Sequence, residues 1–185
     1  MSCTLIMGGA RSGKSAWAES EAIARGKAVI YIATSRVGDA EMAARIAHHR
    51  ARRPAHWQTV EESLSLAATL AAHSRPDNLI LVDCLTLWLS NLLFAEGEDY
   101  PEVGEIALPA RFHAERAALL ETLPTLPGDI LLVSNEVGMG IVPWGAVSRA
   151  FADEAGRLNQ ALAQRCQRVV MLIAGLPLTL KEVAT

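Results

Sequence analysis

The chain has 185 residues, of which 51% are hydrophobic and 20% are charged, with a formal net charge of −3. A chain of this length can bury about 70% of the surface that its unfolded form exposes, so we expect one domain over residues 1–185. The slightly acidic balance gives no long-range field to attract a polyanion, which disfavours nucleic acid as a partner and leaves small anionic ligands open.

The first part of the chain predicts strands and helices in alternation. Residues 3–7 form a short apolar run that ends in glycines, and residues 14–25 have helical spacing. Residues 28–33 are apolar on both faces, as in a parallel strand that helices cover on each side. A further helix is predicted over residues 39–50, with Asp39 as its N-cap.

The alternation continues to the end of the chain. Helical spacing over residues 61–73 is followed by a buried strand over 79–82, which ends on Asp83. The acidic segment 95–104 contains Gly and Pro and predicts a mobile loop. The other predicted elements are helices over 85–94, 108–123 and 147–164, and strands over 129–134 and 168–174, before a short tail. Such alternation implies right-handed crossovers and an α/β fold with a mostly parallel central sheet.

The cysteines and the apolar runs bear on the cellular compartment of the protein. Cys3, Cys84 and Cys166 lie far apart and form no C-x-x-C pair, which argues against a disulfide framework and a zinc site. The first residues do not have the charged segment and apolar stretch of a secretory signal. No apolar run approaches the length of about 18 residues that a membrane helix needs. We therefore expect a cytoplasmic protein that is not embedded in a membrane.

The segment from Gly8 to Ser15 fits the P-loop pattern G-x-x-x-x-G-K-[ST]. In this pattern the glycines let backbone N–H groups wrap a phosphate chain, the lysine reaches the β- and γ-phosphates, and the serine binds Mg²⁺. An apolar strand precedes the segment and a helix follows it, as the pattern requires. The sequence therefore predicts a nucleoside-triphosphate site, against the alternative of a glycine-rich turn that binds nothing.

Asp83 is the candidate for a second metal ligand. Proteins with this loop hold Mg²⁺ with the loop hydroxyl and with an aspartate at the end of a buried strand. Asp83 directly follows the run Leu-Ile-Leu-Val, so Ser15 and Asp83 are the predicted Mg²⁺ ligands. Asp83 also precedes a predicted helix, so a role as a helix cap stays open.

Two histidines lie in the predicted helix over residues 39–50. Helical spacing puts His48 on a stripe with Glu41, Arg45 and Arg52, whereas His49 shares a stripe with Met42 and Ile46. The surrounding arginines suit a triphosphate and disfavour a protonated imidazole. A neutral imidazole beside a bound phosphate is a competent nucleophile. A solvated surface histidine has the same spacing, and the pattern alone does not decide between the two.

Residues 135–143 follow a predicted strand at the carboxyl edge of the sheet, where open α/β proteins bind ligands. Their glycines and proline indicate either a shaped ligand loop or an ordinary connection. Trp57 and Trp144 are candidates for stacking on a base, although core packing is the simpler expectation. Arg157 and Asn159 are candidates for ligand contact, although their pattern favours solvent.

Five ordered segments of the chain match one known family. They are Gly8-Gly9-Ala10-Arg11-Ser12-Gly13-Lys14-Ser15, Tyr31-Ile32-Ala33-Thr34-Ser35, Arg45-Ile46-Ala47-His48-His49-Arg50, Arg53-Pro54-Ala55-His56-Trp57 and the run from Asn135 to Pro143. Together they resemble the bifunctional adenosylcobinamide kinase/adenosylcobinamide-phosphate guanylyltransferase family of cobalamin biosynthesis. The resemblance covers nearly the whole chain, and it implies a RecA-like P-loop NTPase fold, a three-layer sandwich.

The resemblance implies two reactions. Adenosylcobinamide is phosphorylated on its aminopropanol hydroxyl with ATP or GTP, and GMP is then transferred from GTP to that phosphate with release of pyrophosphate. In the family, GMP passes through a covalent intermediate on the first histidine of the His-His pair, which here is His48. Lys14, the loop N–H groups and Mg²⁺ would neutralise the charge that develops on phosphate.

The family's nucleotide contacts carry over to five stretches of this chain. They are Gly8, Gly9, Ala10, Arg11, Ser12, Gly13, Lys14 and Ser15; Ala33, Thr34 and Ser35; His49, Arg50, Ala51 and Arg52; Glu61 or Glu62; and Asp83. Relatives assemble as trimers, which implies a homo-oligomer. Asp83 stands where some relatives carry Glu, and the acidic segment 95–104 matches no family motif.

Two other classes of protein share parts of this pattern. A plain P-loop kinase would move the γ-phosphate directly, and its histidines would be incidental. A nucleotide-binding switch or a RecA-type nucleic-acid motor is disfavoured, because the chain lacks the guanine motif Asn-Lys-x-Asp and is net negative.

Overall fold

The computed structural model describes residues 2–35 and 54–183. Within these ranges the chain forms one sheet of seven strands. The strands are β1 (Cys3–Gly8), β2 (Ala28–Ala33), β3 (Gln58–Glu61), β4 (Asn78–Asp83), β5 (Asp129–Asn135), β6 (Arg168–Ile173) and β7 (Leu176–Glu182). Their order across the sheet is β3-β2-β4-β5-β1-β6-β7. All neighbouring pairs are parallel except β6 and β7, which confirms the predicted mostly parallel sheet.

Five α-helices are described with this sheet. They are α1 (Lys14–Ala24), α2 (Leu66–His73), α3 (Leu85–Leu93), α4 (Ala110–Thr122) and α5 (Ala146–Arg165), and a 3-10 turn over Leu123–Thr125 follows α4. Four of these helices begin and end close to their predicted bounds. The predicted helix over residues 39–50 lies outside the described residues.

The two faces of the sheet carry separate apolar cores, because successive side chains of a strand point to opposite faces. Leu5, Ile80 and Leu132 belong to the core that also contains side chains of α2, α3, α4 and α5. Their neighbours Ile6, Leu81 and Val133, with side chains of α1, form the second core. Helices thus cover both faces of the sheet, which is the predicted three-layer arrangement.

The prediction of a helix over residues 61–73 is wrong in its first part. Gln58–Glu61 is a strand that pairs in parallel with β2, and the helix begins only at Leu66. Glu62 directly follows the strand, and its carboxylate Oε1 accepts hydrogen bonds from the backbone N–H groups of Leu64 and Ser65 at 2.7 and 2.8 Å. Of the two acidic residues that suggest a first helical turn, Glu61 belongs to the strand and Glu62 to the turn that precedes the helix.

The predicted short tail is also wrong, because Leu176–Glu182 is an antiparallel edge strand. Pro177 disfavours a strand in a sequence pattern, but an edge strand tolerates proline, whose missing N–H then needs no partner. The turn between β6 and β7 contains Ala174 and Gly175, with φ values of 52° and 81°. The turn of this hairpin lies against the loop that follows β1, because the N–H of Gly175 donates to Ser12 O at 2.9 Å.

Three single-residue expectations have mixed outcomes. Trp57 is buried in the second core, which confirms core packing, whereas Trp144 is exposed, so core packing was wrong for that residue. Asn159 does not face solvent as its pattern favours, because it is buried and its Oδ1 accepts a hydrogen bond from Ser134 Oγ at 2.7 Å. No described helix is long and apolar enough to cross a membrane.

Asp129 ties three parts of the chain together at the amino edge of the sheet. Its carboxylate accepts a hydrogen bond from the backbone N–H of Ser2 at 2.8 Å and lies 2.8 Å from Lys27 Nζ and 3.8 Å from Arg25 Nη1. Burial raises the pKa of Asp129, but the hydrogen bonds from Lys27 and Ser2 outweigh that effect and hold the pKa below its ordinary value of 3.8. The charged form of this side chain therefore stabilises the fold.

We predict that Asp129→Asn lowers the free energy of unfolding at pH 7 by about 1–3 kcal/mol, because the buried ion pair with Lys27 is lost. The difference from the wild type should shrink as the pH falls below about 3.8, since the unfolded wild-type chain then binds a proton at Asp129 and the native carboxylate, whose pKa is lower, follows at still lower pH. Urea denaturation of both proteins between pH 7 and pH 3 measures this. A difference that stays constant over the whole range would contradict the assignment.

Candidate nucleotide site

The loop between β1 and α1 turns sharply at the carboxyl edge of the sheet. Arg11 and Gly13 have left-handed φ values of 56° and 92°, and the backbone N–H of Ser12 donates to Gly9 O at 3.2 Å. Alternation of left- and right-handed residues turns successive backbone N–H groups toward a common point, which is a typical anion site. Helix α1 begins at Lys14, so the unpaired N–H groups of its first turn lie at the same place.

Lys14 is buried at the start of α1. Its side chain is only 8% exposed, and Nζ donates a hydrogen bond to Gly9 O at 3.1 Å. Burial lowers the pKa of Lys14 from its ordinary value, and the neighbouring groups Cys84 and Asp83 oppose that shift. A phosphate oxygen is a stronger partner for this ammonium than a neutral carbonyl, because both partners are then charged.

The backbone of the loop at Gly8 and Gly13 packs closely against its neighbours, which include β6 and the turn after it. A Cβ at Gly8 would lie 2.4 Å from Ser12 Oγ and 2.7 Å from Leu172 O, and a Cβ at Gly13 would lie 3.2 Å from Gly175 Cα. The N–H of Gly175 also donates to Ser12 O at 2.9 Å. The turn between β6 and β7 therefore packs against the loop. The sequence does not predict this contact, because it depends on the strand β7, which was predicted to be a tail.

Ser12 carries a polar group that fits an anion site. Its Oγ is buried and has no hydrogen-bond partner in the described part of the chain. A hydroxyl in this position can donate to a phosphate oxygen or to a water between loop and phosphate. The loop thus combines a buried cation, a turn of backbone donors and a hydroxyl without a partner.

Asp83 lies at the end of β4, which is separated from β1 by β5. Its Oδ2 accepts a hydrogen bond from the hydroxyl of the buried Tyr31 at 2.8 Å. Helix α3 begins after Cys84 with no side-chain hydrogen bond at its cap, so the structure gives no support to the helix-cap role that the sequence left open for Asp83. The carboxylate is close enough to raise the pKa of Lys14, which links the end of β4 to the loop electrostatically.

Thr34 joins the ends of β2 and β4. Its Oγ1 donates to Cys84 O at 2.7 Å and accepts from Cys84 N at 2.9 Å, and its own carbonyl accepts from Asn91 Nδ2 at 2.7 Å. The hydroxyl of Thr34 thus both donates to and accepts from the backbone of Cys84, and it holds the ends of the two strands together. Among the predicted contact residues 33–35, Ala33 and Ser35 flank this fixed point at the same edge of the sheet.

Glu61 and Glu62 have different surroundings. Glu62 holds the turn that precedes α2 through the N–H groups of Leu64 and Ser65, and its Oε2 also accepts from Thr69 Oγ1 at 3.4 Å. Glu61 is exposed at the end of β3, where it pairs with Ala33 of β2. The carboxylate of Glu62 is thus held in the turn before α2, and Glu61 lies at the edge of the sheet where β2 and β4 end.

The end of β5 adds a polar pair between the loop and Asp83. Asn135 is directly opposite Gly8 in the sheet, and its Nδ2 donates to Thr86 Oγ1 at 2.6 Å. The next N–H, that of Glu136, donates to Gly8 O at 3.0 Å. Thr86 is not among the predicted contact residues, because a threonine within an apolar helical run has no distinguishing pattern.

The predicted site residues fall into two groups. The described ones, from Gly8 to Ser15, at 33–35, Glu61, Glu62 and Asp83, all lie at the carboxyl edge of the sheet on β1, β2, β3 and β4 or directly after them. The remaining ones lie outside the described residues: His48, His49, Arg50, Ala51 and Arg52.

Two glycines of the loop form a matched pair for a test of its packing. We predict that Gly8→Ala destabilises the nucleotide-free protein by about 1–3 kcal/mol, because the new methyl group must displace Ser12 or the strand β6. Gly9→Ala is the control, since a Cβ there meets nothing within 4 Å. Urea denaturation of the three proteins without nucleotide measures the effect, and equal stability of the two variants would contradict the described packing.

Solved structures of other proteins have a fold similar to that of this chain. The chain is similar to the flagellar accessory protein FlaH from Methanocaldococcus jannaschii, with a TM-score of 0.52 and 11% identity over 98% of this chain and 78% of that chain. It is also similar to an ATPase from the type III secretion system of pathogenic bacteria, with a TM-score of 0.52 and 14% identity over 96% of this chain and 56% of that one. At this identity the likeness shows the fold alone, which is consistent with the predicted P-loop NTPase α/β fold.

Comparisons of sequence go further. The chain is 56% identical over 177 residues to the bifunctional adenosylcobalamin biosynthesis protein CobP of Pseudomonas aeruginosa, covering 96% of each chain. It is 43% identical over 179 residues to CobU of Escherichia coli, a protein of the same description, covering 96% of this chain and 98% of that one. The model of one family matches residues 4–180. The chain therefore belongs to the cobinamide kinase/cobinamide phosphate guanyltransferase family, whose members are bifunctional enzymes of cobalamin biosynthesis.

Proposed function

We propose that one nucleotide site, centred on the loop from Gly8 to Ser15, serves both reactions of the family in this chain. The observation that carries the proposal is the buried ammonium of Lys14, which lies inside a turn of backbone donors and within electrostatic range of Asp83. A polyphosphate supplies the negative charge and the acceptors that this arrangement lacks. ATP or GTP would donate the γ-phosphoryl group, and GTP would donate GMP.

The residues of the site fit a magnesium ion that arrives with the nucleotide. Ser15 in the first turn of α1 and Asp83 at the end of β4 offer hydroxyl and carboxylate oxygens, which are the donors that Mg²⁺ prefers. Protein sites for Mg²⁺ commonly supply one or two such ligands and leave the others to phosphate and water. The bound ion would neutralise negative charge on the phosphates. Tyr31 would orient the carboxylate of Asp83 through its 2.8 Å hydrogen bond.

In the kinase reaction, the aminopropanol hydroxyl of adenosylcobinamide attacks the γ-phosphorus of the nucleotide. The bond between that phosphorus and the β–γ bridging oxygen breaks, and a nucleoside diphosphate leaves. Lys14 and the backbone N–H groups of the loop hold the β- and γ-phosphates and stabilise the charge of the transition state. Because Lys14 is already fixed and largely desolvated, little reorganisation is needed when the phosphates bind.

In the guanylyltransferase reaction, an imidazole nitrogen of His48 attacks the α-phosphorus of GTP and pyrophosphate leaves. The phosphate of adenosylcobinamide phosphate then attacks the same phosphorus, which releases His48 and gives adenosylcobinamide-GDP. Splitting the transfer into two displacements lets the pyrophosphate depart before the bulky corrinoid phosphate attacks. We assign nucleotide contacts to His49, Arg50, Ala51 and Arg52 by their place in the family motif.

We further propose that Glu61, and not Glu62, contacts the nucleotide. Glu62 already accepts three hydrogen bonds, from the turn before α2 and from Thr69, and a change in its orientation would release them. Glu61 lies at the end of β3 beside Ala33, on the strand edge that leads to Asp83. A carboxylate there can accept hydrogen bonds from the hydroxyls of a ribose or from the amino group of a base.

The setting of the enzyme follows from the family. We propose that the partner of this site is the small-molecule corrinoid, that the protein is a homo-trimer of one domain per chain, and that it acts in the cytoplasm. The modest negative charge and the three free thiols are compatible with that compartment.

The two glutamates give a prediction with a built-in control. Glu62→Ala should lower the free energy of unfolding by about 1 kcal/mol, because the turn before α2 loses its side-chain hydrogen bonds, and should leave GTP affinity within about twofold. Glu61→Ala should weaken GTP binding by about tenfold, because a charged hydrogen-bond acceptor for the nucleotide is lost. Urea denaturation and titration with a fluorescent GTP analogue measure both. The reverse pattern would assign the contact to Glu62.

Labelled nucleotides test the histidine step. The wild-type enzyme incubated with α-labelled GTP should acquire a label that is labile to acid and stable to alkali, because a phosphoramidate forms on His48. His48→Ala should lose this label and keep phosphoryl transfer from γ-labelled nucleotide to adenosylcobinamide, and His113→Ala is the control that keeps both. If the wild type acquires no α-label but still transfers the γ-label, the chain is a plain kinase.

A further inference from the structure

The loop that leaves the nucleotide site after β5 is unusually apolar. Met139, Ile141 and Trp144 are 81%, 97% and 79% exposed, and Val142 between them is also exposed. Large side chains of this kind, grouped within a few residues on a surface, mark a binding site more often than single exposed apolar residues do. We call residues 137–144 the apolar loop.

The apolar loop starts beside the phosphate site. It follows Glu136, whose backbone N–H donates to Gly8 O at 3.0 Å, and Asn135, which is opposite Gly8 in the sheet. A molecule that brings a hydroxyl to a phosphate held by the loop at 8–15 therefore has this surface next to it. The apolar loop is also held from its far side, because the guanidinium of Arg149 donates to Trp144 O and, at 3.2 Å, to Pro143 O.

The same arginine lines a pocket on the neighbouring surface. This pocket has a volume of about 340 Å³ and lies between residues 104–108 and the first half of α5. The charged residues that line it are Glu105, Arg149, Asp153, Glu154 and Arg157. The buried carboxylate of Glu154 is paired with Arg157, and Arg116 lies 3.9 Å away from it.

The lining of this pocket has both signs of charge in nearly equal number. An anion such as a second phosphate would meet carboxylates as well as arginines, so the pocket does not suit it. An uncharged carboxamide both donates and accepts hydrogen bonds, and it can pair with a carboxylate and a guanidinium at once. The pocket therefore fits amide groups.

From these two adjoining surfaces we infer that the apolar loop and the pocket at Arg149 bind the corrinoid, with the apolar loop against its methyl-bearing macrocycle and the pocket around its peripheral carboxamides. This inference rests on the proposed function, since that function makes the ligand a corrinoid. Arg149 connects the two parts because it lines the pocket and holds the backbone of the apolar loop. A cobinamide is both apolar on its faces and rich in amides, and the two surfaces match these two properties.

The test compares Ile141→Ser with Ile23→Ser in the kinase reaction of the full-length enzyme. Ile141 is 97% exposed, so its replacement removes no packing within the chain, and Ile23 is a control because it is 58% exposed near the end of α1. Ile141→Ser should raise the KM for adenosylcobinamide by about tenfold or more, since burial of the isoleucine against the ligand is lost. The affinity for a fluorescent GTP analogue should stay within twofold, and Ile23→Ser should change neither value.

A second variant tests the pocket. Asp153→Ala removes one exposed carboxylate of the lining and should raise the same KM without changing nucleotide affinity. An unchanged KM in Ile141→Ser overturns the inference, provided that the wild type phosphorylates adenosylcobinamide. If the wild type does not phosphorylate it, the proposed function falls instead.

The other possible occupant of the apolar loop is a second copy of this chain. Light scattering of Ile141→Ser and of the wild type over a range of protein concentrations separates the two. A raised KM with an unchanged oligomeric state supports the inference. A KM that returns to the wild-type value at concentrations where the variant regains the wild-type assembly would assign the apolar loop to an interface between copies and overturn it.

Discussion

The site depends on the space between the loop after β1 and the hairpin of β6 and β7. Gly8 and Gly13 lie where a methyl group would meet Ser12, Leu172 or Gly175, so the backbone runs closer to its neighbours than any side chain would permit. The hydrogen bond from Gly175 to Ser12 fixes this approach from the other side. A loop packed in this way keeps its N–H groups in place without a ligand, and the conformational cost of forming the phosphate site is then met during folding.

Burial of Lys14 is the electrostatic counterpart of that packing. An ammonium that is 8% exposed has lost most of its water, and its pKa is lowered for that reason. The carboxylate of Asp83, at the end of β4, opposes this lowering of the pKa. Strand β5 lies between β4 and β1, and Asn135 at its end is hydrogen-bonded to Thr86 of α3. The arrival of a triphosphate restores charged partners to Lys14. In the proposed complex, the same positive charge would favour a neutral imidazole at His48 if that residue lies near Lys14.

The parts of the fold that follow from local chemistry could be predicted, and the parts that follow from distant contacts could not. The apolar runs that became β1, β2, β4, β5 and β6 are buried on both faces, and few other structures accept such runs. The strand β3 is short and mostly exposed, so its sequence Gln-Thr-Val-Glu has no such signal, and only pairing with β2 makes it a strand. The strand β7 contains a proline and exposed leucines, neither of which predicts a strand. Its position at the edge of the sheet is what permits the proline there.

The same distinction holds within the site. The P-loop and Asp83 are recognisable because their chemistry requires fixed spacing along the chain. The contacts of the Tyr31 and Thr86 hydroxyls and the packing of the hairpin against the loop depend on residues that are far apart in sequence. Trp144 shows the limit of composition, since a tryptophan is expected in a core and this one is exposed on the apolar loop.

The central claim is that one triphosphate, bound along the loop from Gly8 to Ser15, presents its α-phosphorus to His48. A crystal structure of the enzyme with a non-hydrolysable GTP analogue and Mg²⁺ tests it most directly. We expect the β- and γ-phosphates within the loop beside Lys14, and an imidazole nitrogen of His48 at about 3–3.5 Å from the α-phosphorus, the distance of a reactive complex. Phosphates bound away from the loop, or a His48 ring far from the α-phosphorus in every copy, would contradict the claim.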